Sequence, residues 1–410
     1  MGCQHSHAKI RGRSDVIDSK SFRFEVIIGQ GGFGKVNAAM RKRDKSSQWY
    51  AIKTVYKRRL LDTGKGKGVA MIFTERNILV KMRSNNHIVH VHHCFQDRKA
   101  VYLVMDFLSG GDLRFHLSKA KRFSEATARF YLASLFLALE AIHSRGILHR
   151  DIKPENLLLD SRGFLRLTDF GVSTIADPND RFVSSTRGSG TRAYMSPEVF
   201  SKSKYHSIAS DYWMAGVILY ETVLGRRPFR KRVDAAMVEW MEATWIDKKF
   251  SAKVPTCFTI RIPRDAVRPS DSYFDLVSRL MDIRPWARMM KPGTVKTHRF
   301  FKDVDWDALD NHHSSVEPPI VPARGEACFT TGDLTLLDVL EVEVGEFAPL
   351  TPEEQGYFEG FDYNTRAEAE AGELESSLRL QDVGKRERRD ETETLQQQQQ
   401  EEEQEEQEEE

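Results

Sequence analysis

The chain has 410 residues, 40% of them hydrophobic and 30% charged, with a formal net charge of +1. That supplies a large core in two or three lobes or domains and excludes a disordered or collagen-like chain, while no apolar run approaches the roughly 18–20 residues that span a bilayer and no secretory signal is read at the start. The four cysteines, Cys3, Cys94, Cys257 and Cys328, are scattered without a CxxC pair, which argues against a disulfide framework or a zinc site and fits a reducing, cytoplasmic setting.

Residues 1–6, MGCQHS, match the pattern M-G-x-x-x-[ST], with Gly2 as the acceptor for myristate. Cys3 beside it is a candidate for palmitoylation, and Lys9, Arg11 and Arg13 add attraction to anionic lipid. One acyl chain holds a protein to a membrane only marginally, so the second signal matters. The expectation is a protein on the cytoplasmic face of a membrane.

From Phe22 the residues alternate as FRFEVI, followed by Gly29-Gln30-Gly31-Gly32-Phe33-Gly34 and then Lys35-Val36. A lone GxGxxG is shared with dinucleotide-binding folds, but there the glycines open a helix. Here Val36-Asn37-Ala38-Ala39 continues as strand, which predicts a β-hairpin lid whose backbone N–H groups approach phosphates. Lys53 follows in the strand Tyr50-Ala51-Ile52-Lys53; a lysine among apolar neighbours needs an anion, and a nucleotide's phosphates supply one. Residues 69–82 have a helical spacing of Met71, Ile78, Leu79 and Met82 and carry Glu75, the natural partner for Lys53. Val101 to Met105 reads as a buried strand with Met105 at the back of a nucleotide pocket. Asp106-Phe107-Leu108 is then the hinge, and Gly110-Gly111-Asp112 opens the second lobe. Ser124 to Ser144 is an amphipathic helix with Ser124 as N-cap, a core element.

His149 to Asn156, HRDIKPEN, places Asp151, Lys153 and Asn156 two and three residues apart. A strand, a turn at Asp160–Gly163 and a second strand bring Thr168-Asp169-Phe170-Gly171 back beside it. Two carboxylates, an amide and a lysine at one place are what phosphoryl transfer requires: Asp151 to orient and deprotonate a hydroxyl, Asn156 and Asp169 to hold magnesium. A polar segment rich in Ser, Thr, Arg and Gly separates this from Met195-Ser196-Pro197-Glu198, and Arg150 is placed to meet a phosphate on that segment. An apolar helix is expected from Asp211 to Leu224, Arg288 is a partner for Glu198, and Arg226, Arg227, Arg230, Lys231 and Arg232 form a basic cluster. Beyond Phe301 come a Pro-rich stretch and the aromatics Phe358, Phe361 and Tyr363. The last fifteen residues hold eight Glu and no Lys or Arg, which leaves 61 basic against 52 acidic residues in 1–395 and a body of +9. No core pattern is present after Asn364.

These motifs resemble a eukaryotic protein kinase over residues 22–301. HRFFKDVDWDAL and the C-terminal aromatic segment resemble the AGC group, and FQDRKAVYLVMDFLSGGDLRFHL with AYMSPE is similar to the YANK subfamily. The resemblance implies an α+β, two-lobed fold with a small β-rich lobe and a larger helical lobe. It implies ATP and Mg2+ as cofactors, protein substrates with Ser/Thr acceptors, no nucleic-acid partner and a monomer. Lys153 after the catalytic aspartate favours serine/threonine specificity. Gly29, Gly31 and Gly34 would cover the phosphates, Lys53 would pair with Glu75, and Thr191 would pack against Asp151. Ser185 or Thr186 would carry the activating phosphate. Phe358 and Phe361 would dock beside the Glu75 helix, with Asp362 standing where relatives carry a phosphorylatable residue. Asp112, Glu155 and Glu221 match positions that favour basic peptides, whereas the Arg226–Arg232 cluster favours acidic ones. Ser196 stands where an alanine is usual, and Gly171 where YANK relatives often have Asn. The expected organisation is 1–21 acylation segment, 22–301 catalytic domain, 302–364 C-terminal extension and 365–410 disordered tail. The rival readings are a catalytically weak scaffold of the same fold, against which Lys53, Asp151 and Asn156 are all present, and a dinucleotide-binding enzyme.

Overall fold

Strand-forming residues, alternating from Phe22 and continuously apolar from Val101 to Met105, build the first half of the chain into a sheet. In a computed structural model describing residues 17–43, 48–64, 66–176, 183–184, 190–200, 205–229, 268–322 and 349–364, β1 (Phe22–Gly31) and β2 (Gly34–Arg41) form an antiparallel hairpin. β2 pairs with β3 (Trp49–Tyr56), and β3 pairs with β5 (Ala100–Asp106), which pairs with β4 (Val91–Gln96). The sheet order is β1-β2-β3-β5-β4, and a sixth strand beginning at Tyr363 lies outside β4. The period of two puts Phe22, Tyr50, Ile52, Phe95, Tyr102 and Val104 in one cluster, with Phe22 stacked on Phe95 at 6.1 Å between ring centroids. The helices α1 (Lys57–Leu61) and α2 (Lys67–Lys81) follow β3; Ile72, Ile78 and Leu79 of α2 join the main core.

The second half is helical. α3 (Leu113–Ala120) is capped by Asp112, whose carboxylate accepts the Phe115 N–H at 2.8 Å. α4 (Glu125–His143) begins at the expected cap, where the Ser124 hydroxyl accepts the Thr127 N–H at 3.1 Å. After the two-residue strand β6 (Ile147–Leu148), the hairpin of β7 (Leu157–Leu159) and β8 (Leu165–Leu167) carries the loops of interest on either side. β9 (Thr174–Ile175) pairs with β6, and the short helix α5 (Pro197–Phe200) leads into α6 (Ile208–Leu224). α6 starts three residues before Asp211, because Ser207 and Ser210 form a capping box that fixes the first turn. From Ala209 to Leu224 it is buried on every side, the mark of a central helix. It ends at Gly225, whose φ of +69° suits a left-handed C-terminal cap.

Residues 302–322 return to this lobe. Gly163, at φ +93°, lies so close to them that a Cβ there would sit 2.0 Å from the Ile320 carbonyl oxygen. The fold is thus a small sheet-based lobe and a larger helical lobe, the α+β class expected. No helix among the described residues is long and apolar enough to cross a membrane. Residues 1–16 and 365–410 lie outside the described residues, and with them Gly2 and Cys3; so do Ser185, Thr186 and Arg230 to Arg232.

Candidate active site

The register of the sheet lines up one wall of the cleft. Val36 is opposite Lys53, and Ala51 is opposite Met105, and all four face a cavity of about 750 Å³ beneath the β1–β2 hairpin. Gly29, Gln30, Gly31, Gly32, Phe33 and Gly34 form its roof. Only Gly34 is forced to be glycine by packing, since a Cβ there would lie 1.8 Å from the Thr54 carbonyl oxygen. Gly31 and Gly32 have nothing within 4 Å of a built Cβ, which leaves their backbone open to approach from the cleft.

Lys53 Nζ donates to Glu75 Oε1 at 2.6 Å and to Asp169 Oδ1 at 3.0 Å. Burial by itself would lower the Lys53 pKa, but Asp169 and Glu75 overrule it and raise it above that of an ordinary lysine. The ammonium beside it draws Asp169 down to about 2 against the opposing effect of burial. Asp169 adopts φ +60° and Arg150 φ +68°, left-handed conformations that cost a non-glycine residue about 1–3 kcal/mol each and gather at functional sites. Gly171 leaves the space beside this triad free; a Cβ there would come within 3.3 Å of Asp169 Oδ1 and 3.6 Å of Lys53 Nζ.

Across the cleft, Asp151 is nearly buried and held from several sides. Its Oδ1 accepts the Thr191 N–H at 2.6 Å and its Oδ2 accepts from Lys153 Nζ at 2.7 Å. Lys153 Nζ also donates to Thr191 Oγ1 at 3.0 Å. Asn156 Nδ2 donates to the Asp151 carbonyl oxygen at 2.8 Å, so its carboxamide oxygen is the atom left for another partner. The antiparallel β7–β8 pair, with Leu157 opposite Leu167, brings Asn156 and Asp169 to the same cavity. Met105, Asp106, Leu108 and Asp112 line its far end. The Asp106 carboxylate is turned to His92 Nε2 at 2.7 Å and His90 Nδ1 at 3.3 Å. The structure therefore brings together the described residues that the sequence reading assigned to the cleft, except Phe107 of the expected hinge, whose ring packs on Trp49 at 5.8 Å.

Two supports lie outside that reading. Asp211, fully buried in the first turn of α6, accepts the His149 N–H at 3.0 Å, the Arg150 N–H at 2.9 Å and a bond with His143 Nε2 at 2.8 Å. Burial would raise its pKa, yet the His143 and His149 contacts hold it below the usual carboxylate range. The His149 ring accepts the Asp151 N–H at 3.3 Å through Nδ1, contacts the Thr168 carbonyl oxygen at 3.0 Å through Nε2, and packs on the buried Phe170 ring at 5.0 Å. The sequence signal for Asp211 was an acidic residue inside an otherwise apolar helix. Arg150 itself donates from Nε to the Val172 carbonyl oxygen at 2.6 Å, and burial lowers its pKa to about 10. Glu198 meets Arg288 in a buried pair, with Nη2 to Oε2 at 2.8 Å.

The C-terminal segment lies against α2 and β4. Phe358 and Phe361 are fully buried; Phe361 meets Phe73 edge-on at 5.5 Å, with the Arg76 guanidinium 5.8 Å from its centroid. Phe73 and Arg76 flank Glu75 on α2. Lys57 Nζ is 4.8 Å above the Phe358 ring, and Arg83 donates to the Tyr363 hydroxyl at 2.7 Å. The Asp362 carboxylate accepts from Gln96 Nε2 at 3.2 Å.

The sequence model of the protein kinase domain family matches residues 22–301. Among curated proteins, the chain is 34% identical over 354 residues to a probable serine/threonine-protein kinase of Dictyostelium discoideum, covering 85% of this chain and 72% of that protein. It is 32% identical over 363 residues to the RAC family serine/threonine-protein kinase homolog of the same organism, covering 87% and 74%. To serine/threonine-protein kinase Sgk1-B of Xenopus laevis it is 34% identical over 308 residues, covering 73% and 64%. The domain match runs from the first strand of the glycine lid to the end of the helical lobe, and two of these relatives are aligned over more than two thirds of their own length; the chain belongs to the protein kinase family, among its serine/threonine members.

Proposed function

We propose that this serine/threonine protein kinase transfers the γ-phosphoryl group of ATP, with magnesium, to Ser or Thr hydroxyls of protein substrates through Asp151, Lys153, Asn156, Lys53 and Asp169. The observation that carries the assignment is the convergence of these five side chains in one cavity beneath the glycine hairpin. Asp151, fixed through both oxygens, orients the acceptor hydroxyl and takes its proton. Lys153, bridging Asp151 and Thr191, places positive charge where the phosphoryl group develops negative charge. Lys53, held by Glu75, meets the α- and β-phosphates. The roof residues Gly29 to Gly34 supply backbone N–H groups. Met105, Asp106, Leu108 and Asp112 frame the base and ribose end.

The donor set fits magnesium. Asp169 has a half-exposed carboxylate, Asn156 has its amide nitrogen committed and its oxygen free to ligate, and Gly171 leaves room beside them. Among the described residues no three His, Cys, Asp or Glu cluster as a cage, which suits a cation that takes one or two protein oxygens and completes its shell with phosphates and water. When bound, it would neutralise phosphate charge. The finer resemblance to the YANK subfamily rests on the segments around Phe95–Leu117 and Tyr194–Glu198 together with MGCQHS. On that reading Gly2 and Cys3 carry the lipids that place the enzyme on the cytoplasmic face of a membrane. The contacts of Phe361 with Phe73 and Arg76 support a regulatory role for the 302–364 extension, acting on Glu75 from behind.

The test is a pair of variants. Asp151→Asn should lower phosphotransfer by about 10²–10⁴-fold, the usual contribution of a positioned base, with nucleotide affinity retained. Asp169→Asn should instead weaken magnesium-dependent nucleotide binding, measured by calorimetry. Near-normal turnover by Asp151→Asn would sink the assignment.

A further inference from the structure

At the mouth of the cleft, Arg114 in the first turn of α3 reaches toward the catalytic loop and α6. Its Nε donates to Glu155 Oε1 at 2.9 Å, while Nη1 and Nη2 donate to Glu221 Oε1 and Oε2 at 3.0 and 3.1 Å. Nη2 also donates to the Tyr194 hydroxyl, which in turn donates to Glu221 Oε2 at 2.5 Å. Arg227 adds a second cation, with Nε 3.5 Å from Glu221 Oε1 and its guanidinium 5.9 Å from the Tyr194 ring centre.

The position of this cluster gives it meaning. Glu155 follows Asp151 by four residues, lines the cleft and has a 41% exposed side chain. Tyr194 follows Thr191, whose N–H holds Asp151. A peptide that presents a hydroxyl to Asp151 must therefore run past these groups. Two carboxylates converging there would draw a substrate's guanidinium or ammonium group, because the fork of an arginine matches a carboxylate through two parallel bonds. In this chain that geometry is already filled by Arg114, and with Arg227 the two negative charges are balanced by two positive ones.

Resting on the assignment of Asp151 as the transfer centre, we infer that Arg114 is a specificity-determining residue. It occupies from within the chain the acidic subsite formed by Glu155 and Glu221. The substrates this site accepts are Ser/Thr peptides with a neutral or acidic residue at that position, and an incoming arginine or lysine gains nothing there. Arg227, at the same edge, works in the same direction.

The experiment is a positional-scanning peptide library phosphorylated by the full chain and its variants, with kcat and KM measured separately on the best peptides. The wild type should show no selection for Arg or Lys at the position that meets Glu155 and Glu221. Arg114→Ala should raise kcat/KM for peptides bearing one arginine at the favoured position at least tenfold relative to alanine there. The gain should come through KM, and Glu155→Gln in that background should remove it. Where Arg114→Ala does not fold, Glu155→Gln alone decides. It leaves Arg114 with less compensating charge and should shift selection several-fold toward an acidic residue. A wild type that already selects arginine, an unchanged arginine-to-alanine ratio in the variants, or an equal loss on every peptide overturns the inference. A wild type that phosphorylates no peptide overturns it together with the transfer-centre assignment, whereas unchanged selectivity in an active enzyme overturns this inference alone.

Discussion

Truncating Phe361 to alanine tests whether the C-terminal segment holds the active arrangement. The ring is fully buried and packs against both Phe73 and Arg76, the residues that bracket Glu75 on α2. Removing a buried phenylalanine typically costs about 3–5 kcal/mol. The segment has its own anchors, including the Arg58–Glu354 pair at 2.7 Å and the Lys57–Gln355 bond at 2.8 Å, so the loss should appear as local undocking before global unfolding. A cost of about 3 kcal/mol lowers the docked-to-free ratio by more than about a hundredfold, at roughly 1.4 kcal/mol per factor of ten. Coupled to the Lys53–Glu75 bond, that should lower kcat/KM by about 5–150-fold, the span of a coupling of 1–3 kcal/mol. Hydrogen exchange should show lost protection in 349–364 and in α2, with β7 and β8 unchanged. Asp362→Ala, which removes one exposed bond to Gln96, should do much less. The reasoning fails if Phe361→Ala keeps wild-type activity and protection, or if a chain truncated at Thr351 is as active as the full chain.

Gly2→Ala should release the protein from membranes and Cys3→Ser should do so partly, by fractionation of cells expressing each; a Gly2→Ala protein still fully membrane-bound would refute the two-signal anchor. A Ser185→Ala/Thr186→Ala double variant should lose most activity if a phosphate there meets Arg150, whose buried charge would welcome an anion; full activity would show that the loop is ordered otherwise. Burial depresses His87 and His206 to about 4 and His312 to about 3. Neighbouring charges include Asp310 and Arg166 at His87, Arg150, Asp211 and Glu198 at His206, and Arg162 and Arg166 at His312. Because these folded-state values lie below the unfolded one, the stability is complete above about pH 6.5 and falls as pH drops toward 4, when the unfolded chain takes up the protons. The slope is about 1.4 kcal/mol per pH unit per proton. Urea midpoints at pH 7.5, 6 and 5 should decline accordingly, and a His206→Asn variant should decline less steeply; a flat profile would show that these histidines do not control acid stability.

Much of the fold was legible because its signals are local. The alternation from Phe22, the apolar run of Val101 to Met105, the Ser124 cap and the turn at Asp160–Gly163 each specify their own element within a few residues. The cleft followed from spacing, since one hairpin of fixed length returns Asp169 to Asn156. What stayed hidden depends on distant partners. Asp211 lies 62 residues from the amide of His149 that it accepts; an acid in an apolar helix marks it as unusual, but not which backbone it holds. His90 and His92 carry no motif in the sequence, yet they grip the carboxylate of Asp106. Arg114, between Leu113 and Phe115 in the chain, carries no sign of its role until Glu155 and Glu221 are seen beside it. The aromatics of the tail call for burial by their chemistry; the resemblance alone points to the Glu75 helix as their place, and the contacts with β4 depend on the fold.

Asp211 has one consequence for how the enzyme divides its labour. The loop bearing Asp151 is pinned by two backbone bonds to a helix sunk in the large lobe, while Lys53 and the glycine roof belong to the sheet of the small one. On the proposed mechanism the acceptor hydroxyl is therefore positioned against one rigid datum and the phosphates against another. On that mechanism, too, a movement of one lobe against the other would change the gap between the two without disturbing either. Signals that reach the small lobe, such as the seating of Phe361 behind Glu75, can then tune how often the two frames come into alignment, while the proton acceptor itself stays ready throughout.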